Sequence, residues 1–256
     1  MNIMRTFTAA VLLLSAVAAL AAEDGTLSLT PAVVMLRGDH GQSTTQTLTL
    51  TNTTSRTFSF DLVAQDVVTA GGKRTFVEAG SIAGSIAATA VFSPKHVDVP
   101  PGQTVTAAVT VTLPPATSQR AIVALFRGTN KVMSGNVPIV ASLGALMTFQ
   151  VSDTIELTAG PLAVRTQSAT ANLGITNACS NQGSEPLVAK GLMAVLDEKG
   201  TLVGKSALEP RRLLPGESTE ITGEYGGELD PGKYRVFVTY DYEGKTLTKS
   251  AEIEVH

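Results

Sequence analysis

The stretch Thr45-Gln46-Thr47-Leu48-Thr49-Leu50-Thr51-Asn52 alternates without a break. Leu48 and Leu50 fall on one face and Thr47, Thr49 and Thr51 on the other, the two-residue period of a half-buried strand. Asn52-Thr53-Thr54-Ser55 then supplies turn residues, and Phe58, Phe60, Leu62 and Ala64 continue an inward face in the next strand. Upstream, Thr26 to Leu36 opens the domain, with Pro31 marking an edge or a strand break because proline donates no ladder hydrogen bond. Downstream, Ala70-Gly71-Gly72-Lys73 reads as a turn, and Val91 to Val99 leads into the tight bend Pro100-Pro101-Gly102-Gln103. Val105, Ala107, Val109 and Val111 alternate with Thr and Ala. Ala121 to Phe126 is almost continuously apolar, as in a strand central to a sheet. Val137 to Val151 closes the unit. Seven or more strands in about 125 residues is an immunoglobulin-like count.

The second half repeats the pattern. Strands are expected at Leu173 to Thr176, Leu187 to Leu196, Glu217 to Glu224, Lys233 to Tyr242 and Thr246 to Val255. Tyr234, Val236, Val238, Tyr240 and Tyr242 share one face of theirs. Asp197-Glu198-Lys199-Gly200, Leu214-Pro215-Gly216-Glu217 and Leu229-Asp230-Pro231-Gly232 separate strands as turns. The expected fold is all-β: two tandem immunoglobulin-like β-sandwich domains, at 22–152 and 153–256, behind a signal peptide at 1–21.

The signal peptide is read from a short basic segment, Met1 to Arg5, an uncharged run from Phe7 to Ala19, and small residues at Ala19-Leu20-Ala21 for cleavage. The run falls short of the roughly 20 apolar residues of a membrane span. The mature chain is therefore expected in the periplasm, with no membrane insertion after cleavage. Cys179, the single cysteine, has no internal disulfide partner, and a small buried hydrophobe is its expected role. The formal net charge is −3. From Glu23 to Ser152 eight Lys/Arg balance seven Asp/Glu, a sparse density that suits protein contacts. From Asp153 onward ten Lys/Arg face fifteen Asp/Glu. Neither half carries a basic patch interleaved with aromatics, so nucleic acid is not an expected partner.

Catalytic and metal patterns are absent from the sequence. His40, His96 and His256 have no ligand-like spacing with one another or with Cys179. Gly200 to Ser206 imitates a phosphate loop but is one residue short and sits between strands, where a hairpin with a lysine is the simpler reading. No Gly-x-Ser-x-Gly elbow occurs. Arg37-Gly38-Asp39 and Asn52-Thr53-Thr54 match short adhesion and glycosylation patterns that arise by chance. No cofactor is expected, and no enzyme. Few aromatics are available as sugar platforms, with 5% Phe, Trp and Tyr together.

Over the whole mature chain the pattern resembles the periplasmic chaperones of the usher pathway for pilus assembly. Four stretches carry the resemblance: Leu29 to Leu36 as the first strand, Thr47 to Asn52 as the second, Val97-Asp98-Val99-Pro100-Pro101-Gly102-Gln103 as a turn behind a buried apolar pair, and Ala121 to Arg127 as the strand before the long last hairpin. The resemblance implies a binding protein that lends a strand to an exported, pilin-like subunit by β-strand addition. The matching segment is Pro138 to Val151, with Ile139, Ala141, Leu143, Ala145, Met147 and Phe149 on one face as partner-binding residues. The same alternation also suits an ordinary core strand. The family's basic anchor pair falls at Pro31 or Ala32 and at Ala145 or Met147, none of them basic, so the chain resembles a divergent member that lacks the pair. The alternative reading is a secreted structural immunoglobulin-like module of a cell-surface or adhesive assembly.

Overall fold

The computed structural model describes residues 25–134, 137–166 and 173–256; the expected signal peptide lies outside them. The first domain contains β1 (Leu27–Thr30), β2 (Val33–Arg37), β3 (Ser43–Asn52), β4 (Phe58–Ala70), β5 (Lys73–Glu78) and β6 (Val91–Ser93). It continues with β7 (His96–Val99), β8 (Thr104–Thr112), β9 (Ala121–Gly128), β10 (Val132–Ser134), β11 (Val137–Ile139) and β12 (Leu143–Gln150). One sheet runs β1-β3-β8-β6 and the facing one β2-β12-β9-β4-β5, with β7 also on β4. The strictly alternating strands place Leu48, Leu50, Phe58, Phe60, Leu62, Val109, Val111 and Phe126 in one core between the sheets. The outer face of β3 and β8 is a threonine ladder, closed by cross-strand hydroxyl pairs such as Thr45 with Thr110 at 2.8 Å.

The second domain contains β13 (Leu157–Thr166), β14 (Leu173–Asn181), β15 (Leu187–Asp197), β16 (Leu202–Ala207), β17 (Arg211–Leu213), β18 (Ser218–Tyr225), β19 (Gly232–Tyr242) and β20 (Lys245–Val255). Its sheets run β13-β14-β18 and β16-β15-β19-β20, with β17 on β15. Val236, Val238, Tyr240 and Tyr242 enter this core, as their shared face implies. The Tyr240 hydroxyl is fully buried and donates to Asn177 Oδ1 at 3.0 Å. Desolvation raises its pKa far above the ordinary tyrosine value. Cys179 is buried in the same core, and desolvation raises its pKa too. Gly200 to Ser206 forms the end of a turn and most of β16, an edge strand.

The domains are joined by more than their linker. The outer face of β9 and β12 meets Leu214, which clusters with Val67, Ala121, Val123 and Leu146. Arg74 pairs with Glu217 at 2.9 Å and donates to the Arg212 carbonyl at 2.7 Å. Arg212 in turn donates to Thr148 Oγ1 at 3.1 Å. At the linker itself Glu185, fully buried, accepts the N–H groups of Val151 and Asp153, each at 3.1 Å. The buried Arg120 lies against it, its Nε 3.5 Å from Glu185 Oε1. That separation pairs the charges, but Nε is not aligned for a hydrogen bond.

Removing one member of a buried ion pair strands the other charge and costs about 3–5 kcal/mol. Glu185→Ala is therefore expected to lower stability by roughly 3 kcal/mol in urea unfolding. It should also speed proteolysis at the linker between Val151 and Thr154. Unchanged cleavage there would mean the linker is held without the clamp.

A second expectation concerns β7. His96 faces Asp61 across the β4–β7 pair, Nδ1 to Oδ1 at 2.7 Å, with Asp98 3.5 Å from Nε2. The hydrogen bond to Asp61, with help from Asp98, holds the imidazole above its ordinary pKa near 6.5. A pKa raised on folding contributes stability below about pH 6.5 and loses it as pH rises through the raised value. Asp61→Asn is thus expected to lower the NMR-titrated pKa of His96, and to lower stability more at pH 5.5 than at pH 8.

Candidate functional site

The site is built on the hairpin formed by the last strands of the first domain. β9 and β12 pair antiparallel from Leu143 with Phe126 to Thr148 with Ala121. Beyond Leu143 the hairpin continues as β10 and β11, with Val132 opposite Ile139. The two halves meet where Gly128 lies against Ala141: a Cβ at Gly128 would stand 2.0 Å from the Ala141 carbonyl oxygen. Only glycine permits that approach. The Gly128 N–H donates to Ser142 Oγ at 3.1 Å.

On its other side β12 has a neighbour for only part of its length. β2 joins it in parallel from Val33 opposite Leu146 to Arg37 opposite Gln150, and the Leu146 N–H donates to the Ala32 carbonyl at 2.9 Å. Upstream of Ala32 the chain turns at Pro31 and crosses to the opposite sheet as β1, paired with β3. Among the described residues, no strand therefore lies beside 138–145 on that side. The vacant edge runs about 26 Å at ~3.3 Å per residue.

The partner-binding residues expected from sequence divide along this line. Ala145, Met147 and Phe149 are buried in the core between the sheets, at 0%, 0% and 5% exposure. Ala141 and Leu143 are half-buried and pack against that core from its rim. Ile139 is exposed, at 40%. Val137 and Val140, outside the expected face, are more exposed still, and Met133 joins them on β10. The lower half of the face thus belongs to this domain's own interior, and the accessible apolar surface is concentrated at the far end of the hairpin.

The positions compared with a basic anchor pair are Pro31 or Ala32 and Ala145 or Met147. Pro31 and Ala32 sit at the sheet switch, and Ala145 and Met147 are core residues. Besides Arg37 on β2, which pairs with Glu243 at 3.1 Å, the basic groups between the domains include Arg74 on β5, Arg120 before β9 and Arg212 on β17. Desolvation, with the Arg74 charge next, lowers the pKa of Arg212. Sequence patterns signalled none of these three, since each is placed by contacts between distant strands.

A family model described as an Fn3-like domain matches residues 35–151. No curated protein matches the chain. Among solved structures, the class 5 fimbriae chaperone CfaA is similar at 14% identity and a TM-score of 0.47, over 90% of this chain and 99% of that one. The chaperone–tip subunit complex CsuC–CsuE of Acinetobacter baumannii is similar at 12% identity and 0.45, over 90% and 99%. The E. coli chaperone DraB is similar at 17% identity and 0.41, over 90% and 98%.

The division of the strand has a direct test. Met147→Asp buries a charge in the core and is expected to unfold the first domain. Ile139→Asp, at an exposed position, should change stability by no more than about 0.5 kcal/mol. Gly128→Ala, by pushing the two halves of the hairpin apart, should raise amide exchange at 137–142 about tenfold and leave β3 and β8 protected. Equal protection in wild type and Gly128→Ala would remove the close approach from the account.

Proposed function

We propose that this is a non-catalytic, chaperone-like protein of the periplasm that binds an exported or surface-assembled polypeptide by β-strand addition along residues 138–145. One observation carries the reading. Pro138-Ile139-Val140-Ala141-Ser142-Leu143-Gly144-Ala145 contains no charged residue and, among the described residues, has no strand beside it on one edge. Natural proteins ordinarily blunt such an edge with lysine, cover it or shorten it, because unpaired N–H and C=O groups beside apolar side chains recruit any available strand. Here the edge is long, uncharged and flanked by exposed Val137, Ile139 and Val140. Main-chain hydrogen bonds to the added strand would provide affinity, and alternate side chains the selectivity. The resemblance to usher-pathway chaperones favours a pilin-like subunit as the partner.

The test uses the mature protein carrying a photo-crosslinker at position 140, with position 203 on the second domain as control. Crosslinking in the periplasm is expected to trap an exported polypeptide at 140 and not at 203. Ile139→Asp should abolish capture while thermal unfolding is unchanged, and Ser142→Pro, which also gives up the hydroxyl that accepts the Gly128 N–H, should abolish it while the domain stays folded. Capture that survives both substitutions would refute strand addition, and crosslinks to the protein itself alone would favour the structural-module reading.

A further inference from the structure

The outer face of the first domain's second sheet carries an apolar strip that only partly disappears under the second domain. Its lower end is covered by Leu214, which clusters with Val67, Ala121, Val123 and Leu146. Its upper end remains open as a pocket of about 340 Å³, walled by Phe76, Val123, Leu125 and Leu146, floored by Gly144 and bordered by Ala32, where the chain enters β2. Val123 and Leu146 belong to both, so the pocket is the uncovered continuation of the interface between the domains.

The polar groups at its rim are already engaged. Arg74 is held by Glu217 at 2.9 Å and by the Arg212 carbonyl at 2.7 Å. Gln65 donates to Glu78 at 3.1 Å. Arg74 Nε and Nη2 and the Gln65 amide are thus turned to partners outside the pocket, and its walls are apolar, so a buried apolar side chain suits it better than a polar one.

Its position relates it to the open edge. Directly paired residues on adjacent strands project to the same face, and Gly144 is paired with Leu125 of β9. A strand added beside 138–145 would set the residue opposite Gly144 on this same outer face. Gly144 puts no side chain between that residue and Leu125. A Cβ at Gly144 would lie 2.6 Å from Val123 Cγ2, so the neighbouring side chains already lean over it. We infer that this pocket receives one apolar side chain of the partner strand, the residue that aligns with Gly144, and that it selects the partner's register and sequence. The inference rests on the strand-addition reading above and adds to it a requirement on the partner: leucine- or phenylalanine-like at one position, not polar or acidic.

The probe is a set of acetylated, amidated nine-residue peptides, Lys-Thr-Val-Thr-X-Thr-Val-Thr-Lys, with X as Leu, Phe, Ser or Asp. Binding is read by fluorescence anisotropy with the mature protein and its Leu125→Ser, Phe76→Ser and Ser142→Pro variants, each checked for native circular dichroism. Leu125 is half-buried on the outer face and Phe76 is 56% exposed, so neither substitution opens the core. Leu and Phe peptides are expected to bind at least tenfold tighter than Ser and Asp peptides. Leu125→Ser and Phe76→Ser should each shrink that ratio toward one, and Ser142→Pro should abolish binding of all four. Equal binding of the four peptides, with loss in Ser142→Pro, would overturn the pocket and leave strand addition standing. Binding that persists in Ser142→Pro would overturn strand addition and, with it, the alignment on Gly144. No binding of any peptide at millimolar concentration would overturn both.

Discussion

A strand can pair with only one sheet at a time, and the chain between Thr30 and Val33 changes sheets. Its first four residues complete the β3 edge, and after Pro31 its next five complete part of the β12 edge. This division leaves too little strand to cover both edges in full. The shortfall falls on residues 138–145, where the hairpin runs past the last residue that β2 reaches. Had β1 and β2 been one continuous strand on either sheet, β12 would be wholly covered or wholly bare. The partial cover explains why one strand is core at Met147 and exposed at Ile139. It also keeps the hairpin anchored while its far end stays available, since Ala145, Met147 and Phe149 root it in the core.

The second domain acts on the same sheet from the other face. Leu214 covers the strip at Val123 and Leu146, while Arg74 and Arg212 reach across between the domains. Burying Glu185 and Arg120 is expensive in desolvation, and such a pair adds little net stability compared with a well-packed apolar replacement. Its effect is geometric: two backbone amides on either side of Ser152 are tied to one carboxylate in the second domain. Leu214 meets the strip separately, its N–H held by Glu217, the residue that also pairs with Arg74.

Much of the architecture is legible in the sequence because each sandwich face alternates strictly. Thr45 to Asn52 and Phe58 to Ala64 place their leucines and phenylalanines inward as the period requires. Ala121 to Phe126 reads as a central strand, and both its faces are covered, though Ala121 and Val123 are covered by the second domain rather than by another sheet. Several strands were not legible. β13 contains Gly160-Pro161 and shifts register between Ala159 and Leu162, which destroys its alternation. β5 presents Phe76 to solvent among polar neighbours, so no inward face stands out. The candidate face from Ile139 to Phe149 is evident from period two, but its division into core and edge is not. That division depends on where β2 stops, a long-range pairing that local alternation does not encode. The roles of Gly128 and Gly144 are hidden for the same reason, since each is defined by what lies across the hairpin.

An open apolar edge is also a hazard, and the same features that expose it limit its indiscriminate use. Pro138 removes one donor from the ladder, and the close approach of Gly128 to Ala141 offsets β11 from β12, so the edge is not one flat template. A flat aggregating strand would find its regular pairing interrupted there, whereas a single flexible chain can follow the offset. Selectivity then has to come from side chains, because the edge itself bears no charge to steer with. The rim of the Gly144 pocket supplies it by subtraction: with Arg74 bound to Glu217 and Gln65 to Glu78, a polar residue placed there loses its water and meets groups already turned to other partners. Rejecting the wrong strand in this way costs the protein no new contact, and it depends on those two rim side chains staying occupied.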